Sequence, residues 1–188
     1  MMEARKLLDA LVIAERLKDT TRHCYTSKGR HESVAEHSWM MTLMAFFMKD
    51  EFPEADMDKV IRMCIIHDLG ECFTGDIPTF EKSSAHEQIE DKLLNNWVHS
   101  LPENYAVEMQ ELYQEMEERK TVEAKIYKAI DGLEALIQHN LSDISTWIPL
   151  EYELNYTYAN DKVAFSDYLK SVRQAVLKDT IKKIDDAK

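Results

Sequence analysis

The stretch KIYKAIDGLEALI, residues 125–137, decides the fold class. Ile126, Ile130, Leu133 and Ile137 recur at spacings of four, three and four, the period of one helix face and not the alternation of a strand. One residue departs from the pattern. Asp131 follows Ile130 directly, an acid that solvation explains poorly on so apolar a helix, whereas a partner such as Lys128 or Lys125, or a metal ion, would account for it.

The same spacing extends outward on both sides, in Leu7, Leu8 and Leu11, in Met40, Leu43, Met44 and Phe47, and in Val60, Met63 and Cys64. It predicts helices at about 3–18, 34–50, 56–72, 84–100, 104–118, 121–141 and 161–185. Ser33-Val-Ala-Glu36 and Ser84-Ala-His-Glu87 both read as capping boxes, which assigns Glu36 and Glu87 to capping. Pro53, Pro78, Pro102 and Pro149 fall between the helices, where a missing N–H costs little.

Glycine and proline supply the exclusions. Four of each in 188 residues is about 2% apiece, against averages of about 7% and 5%. Gly29, Gly70, Gly75 and Gly132 stand too far apart for a GxGxxG or a Walker loop, which argues against a dinucleotide fold, a P-loop NTPase or a β-barrel. The expectation is an all-α helical bundle forming one domain over residues 1–188.

Thirty-five acids against twenty-three Lys and Arg give a net charge of −12, which excludes a nucleic-acid polymer as the natural partner. One segment opposes this balance. Arg16, Lys18, Arg22, Lys28 and Arg30 against Asp19 make residues 16–31 locally +4, a predicted loop that either attracts a small anion or is merely solvated. The longest apolar run, Leu43 to Met48, is six residues, so neither a signal peptide nor a membrane span is expected. Cys24, Cys64 and Cys72 show no CxxC spacing, and the expectation is a reduced, cytoplasmic protein.

His67-Asp68 closes a predicted helix among Met63, Cys64, Ile65, Ile66 and Leu69, a costly place for two polar groups unless they pair or bind metal. Glu71 lies four residues past His67 and three past Asp68, within reach of the same helix side. Further ligands must come from other helices, and His37 and Asp131 are internally placed.

Together these residues resemble a family. His37 in Glu-His-Ser, His67-Asp68 in Ile-Ile-His-Asp-Leu-Gly-Glu and Asp131 in Lys-Ala-Ile-Asp-Gly-Leu-Glu are similar to the H…HD…D signature of HD-domain metal-dependent phosphohydrolases. With Glu-Ser-Val-Ala-Glu-His before and Gly-Asp-Ile-Pro-Thr at 75–79 after, the order most resembles the HD-domain 5′-deoxynucleotidase group, over about residues 20–140, leaving 141–188 as a helical extension outside the match. The resemblance implies His37, His67, Asp68 and Asp131 as metal ligands and Glu71 and Asp76 as the acids that act on water or substrate. It implies Arg22 as a substrate contact, followed by His23 where that group commonly has an aromatic Trp.

Two imidazoles and two carboxylates suit one Mn²⁺, Co²⁺, Fe²⁺ or Mg²⁺, and Zn²⁺ less neatly. Such an ion acidifies water and offsets charge on phosphoryl oxygens, so hydrolysis of a phosphate ester follows, with a (deoxy)nucleoside 5′-monophosphate as the expected substrate. Two alternatives stand beside it. One is the same site acting on a cyclic nucleotide, a nucleoside triphosphate or a guanosine polyphosphate. The other is a non-catalytic module stabilised by metal, with the aromatic stretch Trp147 to Tyr158 binding a partner. His86, His99 and His139 read as surface or helix-face residues, which leaves ligands for one metal only. Gly70, Gly75 and Gly132 sit within two residues of proposed site acids and read as making room for metal, water and substrate rather than as turns. A homodimer is implied by the resemblance and by the apolar material near the carboxyl terminus.

Overall fold

Three apolar stripes meet at the centre of the computed structural model, which describes residues 2–78 and 81–188. They belong to α2 (Val34–Met48), α3 (Met57–Ile66) and α7 (Val122–Leu141). Met41 and Ala45 from α2, Val60, Met63 and Cys64 from α3, and Ile126, Ile130 and Leu133 from α7 are fully buried against one another. The apolar surface removed from water there is the main drive for assembly. Around this centre lie α1 (Ala4–Ala14), the short α4 (Glu71–Thr74), α5 (Ser84–Ser100) and α6 (Glu103–Glu118). The chain ends in α8 (Pro149–Thr157) and α9 (Asp167–Asp186).

The all-α expectation holds, with five local corrections. The basic segment is not simply a loop. Thr21–Tyr25 (β1) and His31–Ser33 (β2) form an antiparallel hairpin, turned at Gly29 with φ +79°. Ser33 then caps α2 with the expected box to Glu36. The second cap lies one residue earlier than expected: Ser83 accepts from the His86 amide, and the His86 ring rather than Glu87 completes the exchange.

The helix expected over 56–72 ends at Ile66. Beyond it the backbone tightens, with Leu69 N–H donating to Ile66 O at 3.1 Å and Glu71 N–H to Asp68 O at 3.0 Å. Tyr113 on α6 donates its hydroxyl to the Ile66 carbonyl at 2.6 Å, satisfying a helix-end acceptor beside His67. At the carboxyl terminus α9 begins at Asp167 rather than 161, and Pro149 opens α8, a helix the sequence reading passed over. Buried Arg173 on α9 donates from Nε to Tyr158 O and from Nη2 to Asn155 O, both at 2.9 Å, fixing the end of α8 over the centre of α7.

The glycines serve packing and turning rather than open space. A Cβ on Gly70 would lie 2.7 Å from Glu90 Cγ, and one on Gly132 would lie 2.9 Å from Ala159 Cβ, so α5 and the 158–166 segment pack directly on them. Gly75, with φ +79°, is a turn.

Candidate active site

The four proposed ligands converge where α2, the turn after α3, and α7 meet. His37 is buried at 1% exposure. Its Nδ1 bonds Glu134 Oε2, which fixes the proton there and aims Nε2 at Asp131 Oδ1, 3.4 Å away, and Asp68 Oδ2, 3.9 Å away. His67 is oriented the same way. Nδ1 donates to Cys64 O at 3.0 Å, leaving Nε2 to face Asp68 Oδ2 at 2.9 Å without a hydrogen bond among the described residues. Imidazole lone pairs set against carboxylate oxygens repel each other unless a proton or a metal cation lies between them, and the mixed N/O donor set fits a divalent ion. His37, His67 and Asp131 each offer a ligand atom within 4.8 Å of the others, and Asp68 borders both imidazoles.

The electrostatics agree. Burial and Arg22 push His37 down, yet Glu134 and Asp131 overcome them and raise it to about 9. Burial pushes Asp68 up, and His67 with His37 holds it down at about 2. Asp131 falls well below the carboxylate range despite burial because Lys128 and His37 face it. The carboxylates thus draw positive charge into the place a metal would take. The sequence offered Asp131 either a lysine or a metal, and the structure supplies both kinds of partner: Lys128 Nζ holds Oδ2 at 2.7 Å, while Oδ1 faces the imidazole.

Three of the proposed ligands, His37, Asp68 and Asp131, line a cavity of about 440 Å³ shared by Arg22, His23, Glu71 and Asp76, within the roughly 300–1,000 Å³ common for small-molecule sites. Glu71 is buried, its Oε2 lacks a partner among the described residues, and burial with Asp68, Asp76 and Glu90 nearby pushes its carboxyl up to about 10. Asp76 is raised as well, chiefly by burial. Arg22 Nη1 donates to Glu134 at 3.1 Å and to Glu32 at 3.3 Å. Of the basic segment, Arg22 lines the cavity, whereas Arg30 pairs with Glu36 on the surface. Thr79 of the matching motif lies outside the described residues.

Glu134 escaped the sequence reading, although its signal was present: it stands one helical turn after Asp131, and a second acid in so apolar a helix needs the same explanation. His139 was misread. It is buried, with Nδ1 donating to Ala135 O at 2.8 Å and Nε2 lying 2.9 Å from Glu151 Oε1 on α8. His23 Nε2 lies 2.8 Å from the same oxygen. Within the aromatic stretch Trp147 is buried against His139 and Tyr152, while Ile148, Leu150 and Tyr156 stay exposed. Residues 151–162 wall the cavity, where Asn155 Nδ2 is buried without a partner among the described residues.

Residues 14–173 match the family model described as HD domain. The chain is 33% identical over 140 residues, 72% of its length and 67% of the relative's, to human 5′-deoxynucleotidase HDDC2. It is 27% identical over 176 residues to the Dictyostelium discoideum protein of that name, covering 88% of this chain and 87% of the relative. Among solved structures, a predicted metal-dependent phosphohydrolase from Magnetospirillum magnetotacticum superposes with a TM-score of 0.79 at 25% identity over 97% of both chains.

Proposed function

The chain belongs to the HD-domain family, and from that premise we infer that it is a divalent-metal-dependent phosphomonoesterase releasing phosphate from (deoxy)nucleoside 5′-monophosphates. The observation that carries this reading is the convergence of His37, His67, Asp68 and Asp131 beside a cavity that also holds Glu71, a buried acid whose Oε2 has no partner among the described residues. A structural metal site has no use for that acid. Named 5′-deoxynucleotidases among the relatives support the substrate class.

His37, His67, Asp68 and Asp131 hold the cation, with Mn²⁺, Co²⁺, Mg²⁺ or Fe²⁺ favoured by the mixed N/O donors over Zn²⁺. When bound, it supplies charge at the phosphoryl oxygens and lowers the pKa of water. Glu71 moves the proton at Oε2, and Asp76 orients water or assists the leaving oxygen. Arg22, with Nη1 committed to Glu134 and Glu32, turns the rest of its guanidinium to the phosphate. His23 and Asn155 face the nucleoside. The exposed Trp39, Phe46 and Phe47 on α2 support a homodimer, and three unpaired, buried cysteines support a reduced, cytoplasmic setting.

The test is phosphate release from a panel of nucleotides by metal-stripped protein resupplied with Mn²⁺, Co²⁺, Mg²⁺ or Zn²⁺, with Asp68→Ala as control. Monophosphate hydrolysis restored by metal and absent from Asp68→Ala is expected. No release from any monophosphate, or equal release by Asp68→Ala, overturns the assignment.

A further inference from the structure

A second group of ligands lies further along the same cavity. His139 projects from α7 two turns beyond Asp131, about 12 Å along the helix axis. Glu151 comes from α8 and His23 from β1, and the three offer ligand atoms within 4.8 Å of one another. His139 and Glu151 are buried, and all three line the cavity wall.

The ring orientations suit a cation as well as a hydrogen-bond triad. His139 Nδ1 must carry a proton because it faces a carbonyl, Ala135 O, at 2.8 Å. In the neutral ring Nε2 is then a lone pair, set 2.9 Å from Glu151 Oε1. Glu151 is itself held in place, since Oε2 accepts from the Ile148 amide at 2.8 Å. Oε1 therefore meets two imidazole nitrogens, those of His139 and His23, at 2.9 and 2.8 Å, and a cation seated among the three would take the His139 lone pair and the carboxylate together. His37 shows the same construction: Nδ1 pinned by a protein acceptor, Nε2 aimed at carboxylates.

We propose that His23, His139 and Glu151 form a second divalent-cation site. Two imidazoles and one glutamate are a donor set that zinc takes in open sites, and cobalt substitutes in such N/O surroundings. The remaining coordination positions face the cavity. About 12 Å of helix separates the site from Asp131, so it is not half of a bridged two-metal centre, whose ions lie about 3.5–4 Å apart. It joins the hairpin, α7 and α8 at the end of the cavity away from Asp68.

The experiment is Co²⁺ loading of the full-length, chelator-stripped protein, read as metal equivalents retained after desalting and as visible d–d absorption. The expected result is that Glu151→Gln and His139→Gln each retain one equivalent fewer than the parent, while Asp68→Asn loses a different equivalent and the Glu151→Gln, Asp68→Asn double variant loses both. His23→Asn gives a third reading on the cavity-facing hairpin should burial make the other two fold poorly, and it too is expected to retain one equivalent fewer. Retention equal to the parent in a folded variant of this cluster overturns the proposal and leaves its rings hydrogen-bonded only. Because Asp68→Asn is read separately, that outcome leaves the assignment of the first site intact.

Discussion

The cavity has two histidine–carboxylate clusters on one helix, built by different routes. The cluster at Asp131 draws its other members from α2 and the end of α3, elements that share the central core with α7. The cluster at His139 draws them from a hairpin strand and from α8, which reach α7 through tertiary placement alone. One is locked by the protein's most buried packing. The other depends on peripheral elements held by a few hydrogen bonds, such as the two from Arg173 to the end of α8. Chemistry that needs fixed geometry belongs to the first, and adaptation to a ligand belongs to the second.

The largest expected effect tests this division. Asp68→Asn should abolish phosphate release at every substrate concentration, while His23→Asn should act mainly on KM. Similar kcat losses from both variants would break the contrast. Glu71→Gln should come next, with kcat down about 10²–10⁴-fold as expected for a lost proton-transfer group. It also carries a signature in stability. Glu71 titrates near 4.5 when unfolded and near 10 in the ion-free fold, so the folded chain holds the extra proton. Its stabilising contribution is complete below about pH 4.5 and is lost as pH rises through about 10. Ion-free Glu71→Gln should therefore melt above the parent at pH 8–9, the gap closing at pH 4. Equal melting curves across that range would show that Glu71 is not proton-bound.

Glu134→Gln should weaken metal binding about 10–100-fold, the usual cost of removing a carboxylate that orients a ligand histidine. Arg22 is tied to the same carboxylate. Arg22→Ala should consequently raise KM and weaken metal binding together, a coupling that its place in the sequence does not suggest. Isothermal titration with Mn²⁺ checks both, and unchanged affinity in Glu134→Gln would reduce Glu134 to a counter-ion of Arg22.

The same contrast explains what the sequence made legible. Helix period located α2, α3 and α7, and acids or histidines interrupting those apolar stretches located His37, His67, Asp68 and Asp131. Such interruptions are visible because burial makes them costly. Glu151 interrupts nothing: α8 is short and mixed in character, and its acid reads as an ordinary first-turn residue until the fold brings His139 to it. The hairpin was hidden for a related reason, since β1 (Thr21–Tyr25) contains Arg22 and His23, whose side chains turn to a cavity formed by distant helices. His139 carried the only local hint, eight residues past Asp131 and so near the same helix face.

The smallest effect tests whether the α8 side of the cavity reads substrate at all. Asn155 is 2% exposed, and its Nδ2 has no protein partner among the described residues, although the residue lines the cavity. A buried donor left unmade costs about 1–3 kcal/mol, so a substrate acceptor that satisfies it gains most when bound. The backbone of Asn155 is held independently, through its carbonyl to Arg173, so truncating the side chain should leave α8 in place. Asn155→Ala should then raise KM by roughly five- to tenfold, about 1 kcal/mol, with kcat and metal content unchanged. The rise should differ among bases if Nδ2 meets the base, and be uniform if it meets the sugar. An unchanged KM for every nucleotide would mean that α8 covers the cavity without reading its contents, and the contrast between the clusters would reduce to catalysis at one end and packing at the other.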